Sequence, residues 1–150
     1  MKKILIFVTL IMLNNCTGYS PIFSSKQTNF YIEEITVTED NKLIRKIIRN
    51  LKPYTINNNK KKIRLLLDLK STETVILKDE KGNVATQEIK ISLNAKTILS
   101  KDEVKDFNFI EKFTIKNQSN KFELSQYKRS IESNMIDEIY EDLILKLRTL

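Results

Sequence analysis

The chain has 150 residues and 30% of them are charged, with 26 Lys and Arg against 19 Asp and Glu. It has no His and one Cys, which excludes a Cys/His zinc set and any disulfide within the chain. That length suits one domain, and the net charge of +7 suits an anionic partner such as nucleic acid, a membrane surface or an anionic lipid. Part of the charge also fits the Lys-, Asn- and Ile-rich composition of an AT-rich genome.

The first element is a leader. Lys2 and Lys3 precede an apolar run from Ile4 to Leu13, and a polar break follows at Asn14 and Asn15. Basic start, apolar run and polar break form a bacterial secretory signal. The run is short of the roughly 20 residues a membrane span needs. Cys16 sits at the break, where a lipoprotein precursor is cut and acylated. Leu13 fits that pattern, whereas Asn14 and Asn15 stand where small residues are usual. The alternative is a plain signal peptide cut elsewhere. The predicted organisation is therefore a signal peptide over 1–15, a lipidated tether over 16–28 and one domain over 29–150. More than one acyl chain on Cys16 gives stable membrane anchoring, since one chain is marginal. Thr17 lacks the aspartate that retains many lipoproteins at the inner membrane. Without Lys2 and Lys3, 24 basic and 19 acidic side chains leave +5. Secretion argues against nucleic acid as the anionic partner.

Aromatic and β-branched residues over 30–37 predict a first strand. Asp40 and Asn41 offer N-cap oxygens. Leu43, Ile44, Ile47, Ile48 and Leu51 then mark one face of a helix about three turns long, which Pro53 ends. Arg45, Lys46 and Arg49 lie on its other face, most simply as solvated surface. Residues 57–62 read as a basic loop. Next the period becomes two. Ile63, Leu65, Leu67, Leu69, Val75 and Leu77 share one strand face, and Ile89, Ile91, Leu93, Ala95 and Leu99 share another. Both sets are odd-numbered, so an odd loop at 79–83, containing Gly82, brings them into register. A third long strand over 104–117 keeps that parity through Phe107, Phe109, Phe113 and Ile115, after a second odd loop near Asp102. From Ser125 onward, Ile131, Met135, Ile139, Leu143 and Leu147 repeat every four residues, predicting a helix of about 24 residues. The order β-α-β-β-β-α predicts an α+β two-layer sandwich: a four-stranded, mainly antiparallel sheet with two helices on its apolar face.

Catalytic material is scarce. Gly18 and Gly82 are the only glycines, so there is no Gly-rich phosphate loop. Glu33 and Glu34, as strand neighbours, are expected on opposite faces. Asp137, Glu138, Glu141 and Asp142 read as solvated helix surface. The expectation is a binding or assembly protein without cofactor or metal, not an enzyme. Arg64, Lys70, Lys90 and Lys96 are the candidate anion-binding residues, since all four fall on the even, polar face of the long hairpin.

Three pieces of the chain resemble the lipopolysaccharide-assembly lipoprotein family LptE, also called RlpB, in its alphaproteobacterial branch. The first is Cys16-Thr17-Gly18-Tyr19-Ser20-Pro21-Ile22-Phe23, similar to that branch's cysteine, glycine, aromatic, any, proline, aliphatic, aromatic start, with Thr17 inserted. The second is the strand, polar turn and short helix over 35–51. The third is the C-terminal helix over 133–147, with Asn134, Ile136, Ile139 and Leu143. The resemblance implies a non-enzymatic component of the outer membrane, lipid-anchored on the periplasmic side. It implies a plug and assembly partner for an LptD β-barrel, with lipopolysaccharide as a ligand. The rival reading is an auxiliary lipoprotein of a phospholipid or solvent ABC-type transporter, of which Tyr31-Ile32 is a faint echo. Cys16→Ser is expected to abolish incorporation of radiolabelled fatty acid into the chain. If the plug reading holds, that variant retains part of its activity in a complementation assay, because the barrel also holds the domain.

Overall fold

The computed structural model describes residues 28–56, 61–99 and 103–150. The leader, Cys16 and nearly all of the tether lie outside the described residues. Strand β1 (Phe30–Val37) leads into helix α1 (Lys42–Leu51) and a 3-10 turn (Lys52–Tyr54). Strands β2 (Lys61–Lys78), β3 (Val84–Leu99) and β4 (Val104–Lys116) follow, then helix α2 (Lys121–Arg148). The strands form one sheet in the order β1-β2-β3-β4. β1 runs parallel to β2, and the other two pairings are antiparallel. A parallel pair needs a crossover, and α1 provides it. The expected β-α-β-β-β-α sandwich is what the chain forms.

The start of α1 is set by Asn41, whose Oδ1 accepts from the N–H groups of Leu43 (3.0 Å) and Ile44 (2.9 Å). Asp40 instead accepts two 2.7 Å bonds from the Arg45 guanidinium, which holds its carboxyl below the usual range. Helix α2 begins at Lys121, four residues before the predicted start. Asn120 caps it, accepting from Phe122 N–H and donating through Nδ2 to Glu123 at 2.8 Å. Glu123 at the first turn and Lys146 and Arg148 at the last also suit the helix dipole.

One core joins both layers. Ile44, Ile47 and Leu51 of α1 and Met135, Ile136, Ile139, Leu143, Ile144 and Leu147 of α2 are buried. They cover Ile63, Leu65, Leu67 and Leu69 of β2 and Ile89, Ile91, Leu93 and Ala95 of β3. Lys46 ties the helices together, donating to the Ser133 hydroxyl (2.6 Å) and carbonyl (2.9 Å) and pairing with Asp137 at 2.6 Å. It is therefore an interhelical strut and not merely solvated surface. At the chain's entry, Phe30 stacks on Tyr54 at 5.8 Å. Burial and the neighbouring Tyr54 push the Tyr140 phenol well above its ordinary value, and its hydroxyl donates to the Asn50 carbonyl at 3.3 Å.

The odd loop at 79–83 is a tight turn. Gly82 N–H donates to the Asp79 carbonyl (2.9 Å), and Asp79 N–H donates to Asn83 C=O (2.8 Å). Gly82 has φ +81°, the left-handed conformation this hairpin loop needs. The Asp79 carboxylate accepts from the Asn83 side-chain amide and from the backbone N–H groups of Asn83 and Lys81, bonds that lower its pKa. Odd then faces odd: Leu67 opposes Ala95, and Leu93 opposes both Leu69 and Phe109.

Three expectations need correction. Lys61 and Lys62, read as loop, open β2. Alternation in β1 breaks at Glu33: a bulge between Ile32 and Glu34 inserts one residue, so the inward set changes from Phe30 and Ile32 to Ile35 and Val37. The simple opposite-face argument for Glu33 and Glu34 does not hold at a bulge; Glu33 pairs with Lys62. Val75 and Leu77, grouped with the core, are 45% and 58% exposed. Helix α1 is only ten residues long, about 15 Å, and its first turn sits beside Leu69 and Ser71. Helix α2 carries the cover one step further, to Glu73, which pairs with Lys128 at 2.7 Å, and past Val75 the register shifts.

Thr97 is fully buried, and its hydroxyl has no hydrogen-bond partner among the described residues. A buried unpaired hydroxyl costs about 1–3 kcal/mol. Thr97→Val keeps the shape and removes the hydroxyl, so urea denaturation should show a gain of about 1 kcal/mol.

Candidate functional site

The two helices cover one face of the sheet and leave the other open. Even-numbered residues of β2, β3 and β4 line that open face, as strand alternation requires. Arg64, Lys70 and Lys96 are exposed and Lys90 is half-buried. The structure thus brings all four predicted cations to one face, but in two separate pairs.

Lys70 opposes Ser92, and Lys90 opposes Thr72. This makes Lys70 and Lys90 diagonal neighbours, about 7–8 Å apart at their backbones. Lys90 also stands directly opposite Lys112 of β4. The stripe Lys70–Lys90–Lys112 therefore crosses three strands. Lys112 was missed in the sequence reading, although the parity of β4 already placed it on this face. Closer to the start of β2, Arg64 opposes Ile98 and Lys96 opposes Leu66, so Arg64 and Lys96 form the second diagonal pair. Between the pairs runs a polar row, Asp68–Asn94–Asn108.

Acids partly balance the stripe. Lys112 is 3.9 Å from Glu88, and Lys70 is 3.7 Å from Asp68. Lys90 and Lys96 have no ion pair among the described residues. A shallow concavity of about 440 Å³ opens at the polar row, lined by Leu66, Asp68, Asn94, Lys96, Asp106 and Asn108 among others. The concavity itself holds two carboxylates and one cation, and the further cations of this face flank it, so an anionic group would meet the lysines at its rim and the amides of the polar row at its floor. The far end of the β2–β3 hairpin is different in kind: Val75, Ile76 and Leu77 are consecutive, apolar and exposed. Phe113 meets Tyr127 edge-on at 6.5 Å on the helix-bearing side. Among the described residues no helix is long and apolar enough to cross a membrane.

No family model matches the chain, and no curated protein matches its sequence. Solved structures do match. The rare lipoprotein B of Shewanella oneidensis superposes with a TM-score of 0.53 at 14% identity, over 75% of this chain and 95% of that one. The minor lipoprotein of Acinetobacter baumannii gives 0.59 at 5% identity, over 81% and 91%. A Caulobacter crescentus protein described as a lipoprotein gives 0.53 at 15% identity, over 79% and 88%. The chain has the fold of these bacterial lipoproteins. At such identities it is the fold that is shared.

Like charges directly opposed across strands destabilise a sheet, so Glu88 matters beside Lys90 and Lys112. Glu88→Gln should lower the melting temperature at low salt. The difference should vanish near 1 M salt, where the screening length falls to about 3 Å. Thermal denaturation by circular dichroism at both salts checks this.

Proposed function

We propose that this chain is a non-catalytic lipoprotein of the outer membrane that seats in the lumen of an LptD-like β-barrel and binds lipopolysaccharide. Lipid on Cys16 tethers it on the periplasmic side. The observation that carries this reading is the open sheet face: mostly polar, without a covering element among the described residues, and bearing Arg64, Lys70, Lys90, Lys96 and Lys112 on three neighbouring strands. A face exposed to a water-filled lumen has to be polar, and a phosphorylated lipid head favours fixed cations. The size also suits the role. Four strands span about 14 Å between outer strands, and a helix layer adds about 10 Å. Large outer-membrane barrels hold plugs in their lumen. The Shewanella structure that shares the fold is a rare lipoprotein B, which matches the second name of the family the sequence resembles.

The geometry also separates anchor from tip. Phe30, where the tether enters the domain, lies beside Lys61 at the start of β2. The exposed Val75–Leu77 segment lies at the other end of that strand, about 50 Å away. A domain tethered at one end presents its apolar hairpin at the other, where the wall of a barrel can meet it.

Affinity purification from outer membranes tests the partner: recovery of a large barrel supports the reading. Recovery of inner-membrane transporter subunits would sink it in favour of the transporter lipoprotein. For the ligand, Lys90→Glu combined with Lys96→Glu should weaken lipopolysaccharide binding at least about ten-fold at low salt, since each cation near an anionic lipid surface is worth about 1 kcal/mol. Lys81→Glu with Lys121→Glu, away from this face, provides the charge-matched control. Equal loss in both double variants would show that only net charge matters.

A further inference from the structure

The sheet has two edges and they are not alike. β1 is eight residues long and carries a bulge. β4 is 13 residues long, contains no Gly or Pro, and keeps an unbroken register with β3 from Lys116 to Val104. Among the described residues no strand pairs with its outer side. Natural sheets usually shorten, bulge or cover such an edge. Two of its lysines are engaged with acids: Lys105 with Glu103 at 3.5 Å and Lys112 with Glu88 at 3.9 Å.

The ladder shows which groups are free. The Leu99 N–H donates to Glu103 C=O, and Asn117 N–H donates to Ala85 C=O. In an antiparallel strand, alternate residues bond to opposite sides. Odd residues of β4 therefore bond to β3, while Asp106, Asn108, Ile110, Lys112 and Thr114 turn their N–H and C=O groups to the open edge. Beside this edge, a groove of about 520 Å³ runs between β4 and the last turns of α2. Ile110 and Leu145, 49% and 47% exposed, give it apolar walls. Glu111 and Asp142 also line it, with Lys146 as the one lining cation. Burial and the adjacent Glu138 and Asp142 push the Glu111 carboxyl above its ordinary range, and along this strip carboxylates outnumber cations in a protein whose net charge is +7.

We propose that the outer edge of β4 accepts an added strand: an extended, basic segment of another protein, alternating apolar residues with Lys or Arg. Its backbone completes the bonds left open at Asn108, Ile110 and Lys112, a known mode of peptide recognition. Its apolar residues lie against Ile110 on the open face, and its cations face Glu111, Glu138 and Asp142 on the helix-bearing side. A second copy of this chain fits less well. Pairing two β4 strands antiparallel about Ile110 would set Glu111 opposite the partner's Phe109 and bring together two strips in which carboxylates outnumber cations. The inference is independent of lipopolysaccharide binding, which uses the sheet face and not its edge.

The test uses the whole mature chain and synthetic ten-residue peptides, one alternating Val with Lys and one alternating Val with Glu. Fluorescence anisotropy measures binding, and hydrogen–deuterium exchange locates it. The Lys peptide should bind and protect the even-numbered β4 amides, and the Glu peptide should not bind. Asn108→Pro removes one outward donor, leaves the β3 ladder intact and should abolish binding. Glu111→Gln with Glu138→Gln keeps the edge and should weaken binding about ten-fold, as loss of charge-assisted contacts predicts. Equal binding of both peptides, binding of the Lys peptide that survives Asn108→Pro, or no binding of either peptide overturns the proposal. So does concentration-dependent dimerisation that protects β4 without peptide, since that would assign the edge to a second copy.

Discussion

A parity constraint runs through this domain. Three long strands alternate with period two, and their buried aliphatic residues all fall on odd numbers. The five-residue turn at 79–83 keeps odd opposite odd between β2 and β3, and the Leu99–Glu103 bond keeps it between β3 and β4. One residue added to the Asp79–Asn83 turn would flip every side chain of a strand to the wrong face. Gly82 in its left-handed conformation and Asp79 with its fan of accepted bonds are what hold that count. β1 solves the same problem differently: its apolar residues change parity midway, and the bulge at Glu33 absorbs the change.

Because the apolar side of the sheet faces one way, both helices must pack there. The consequences fix the rest of the surface. The second face stays open and polar, which gathers five cations that are distant in sequence. The helices are shorter than the strands they cover: 28 residues of α2 reach about 42 Å, against nearly 60 Å for the 18 residues of β2. The hairpin end is left bare, and its apolar residues with it. A sheet of four strands that does not close also leaves two edges, of which β1 is short and bulged and β4 is long and regular.

Much of this could be read from single residues. Asn41 as an N-cap, Pro53 at the helix end, Gly82 in the turn and the odd-numbered aliphatics each have a local cause, so the elements, their order and the open cationic face were legible. The errors lie where a local pattern depended on distant partners. Val75 and Leu77 continue the alternation of Leu67 and Leu69, yet burial required a helix overhead, and α1 ends its reach near Leu69. Lys46 looked like its neighbours Arg45 and Arg49, and only the approach of Ser133 and Asp137 made it a strut. Thr97 sits in an odd position among aliphatics and is buried because its strand is, with its hydroxyl unpaired.

The sequence alone therefore determined the elements, the phase of each strand and which residues share a face, because these follow from the fixed periods of helix and strand and from the conformations open to Gly, Pro and Asn. Tertiary structure decided which cations stand beside one another, how far the helical cover extends and which backbone groups stay unpaired. Those depend on register between strands and on the relative lengths of packed layers, quantities that belong to pairs of elements and to no single stretch of chain. The alternation of Lys90 was written in β3; that Lys112 faces it across the next strand was settled only when the strands paired.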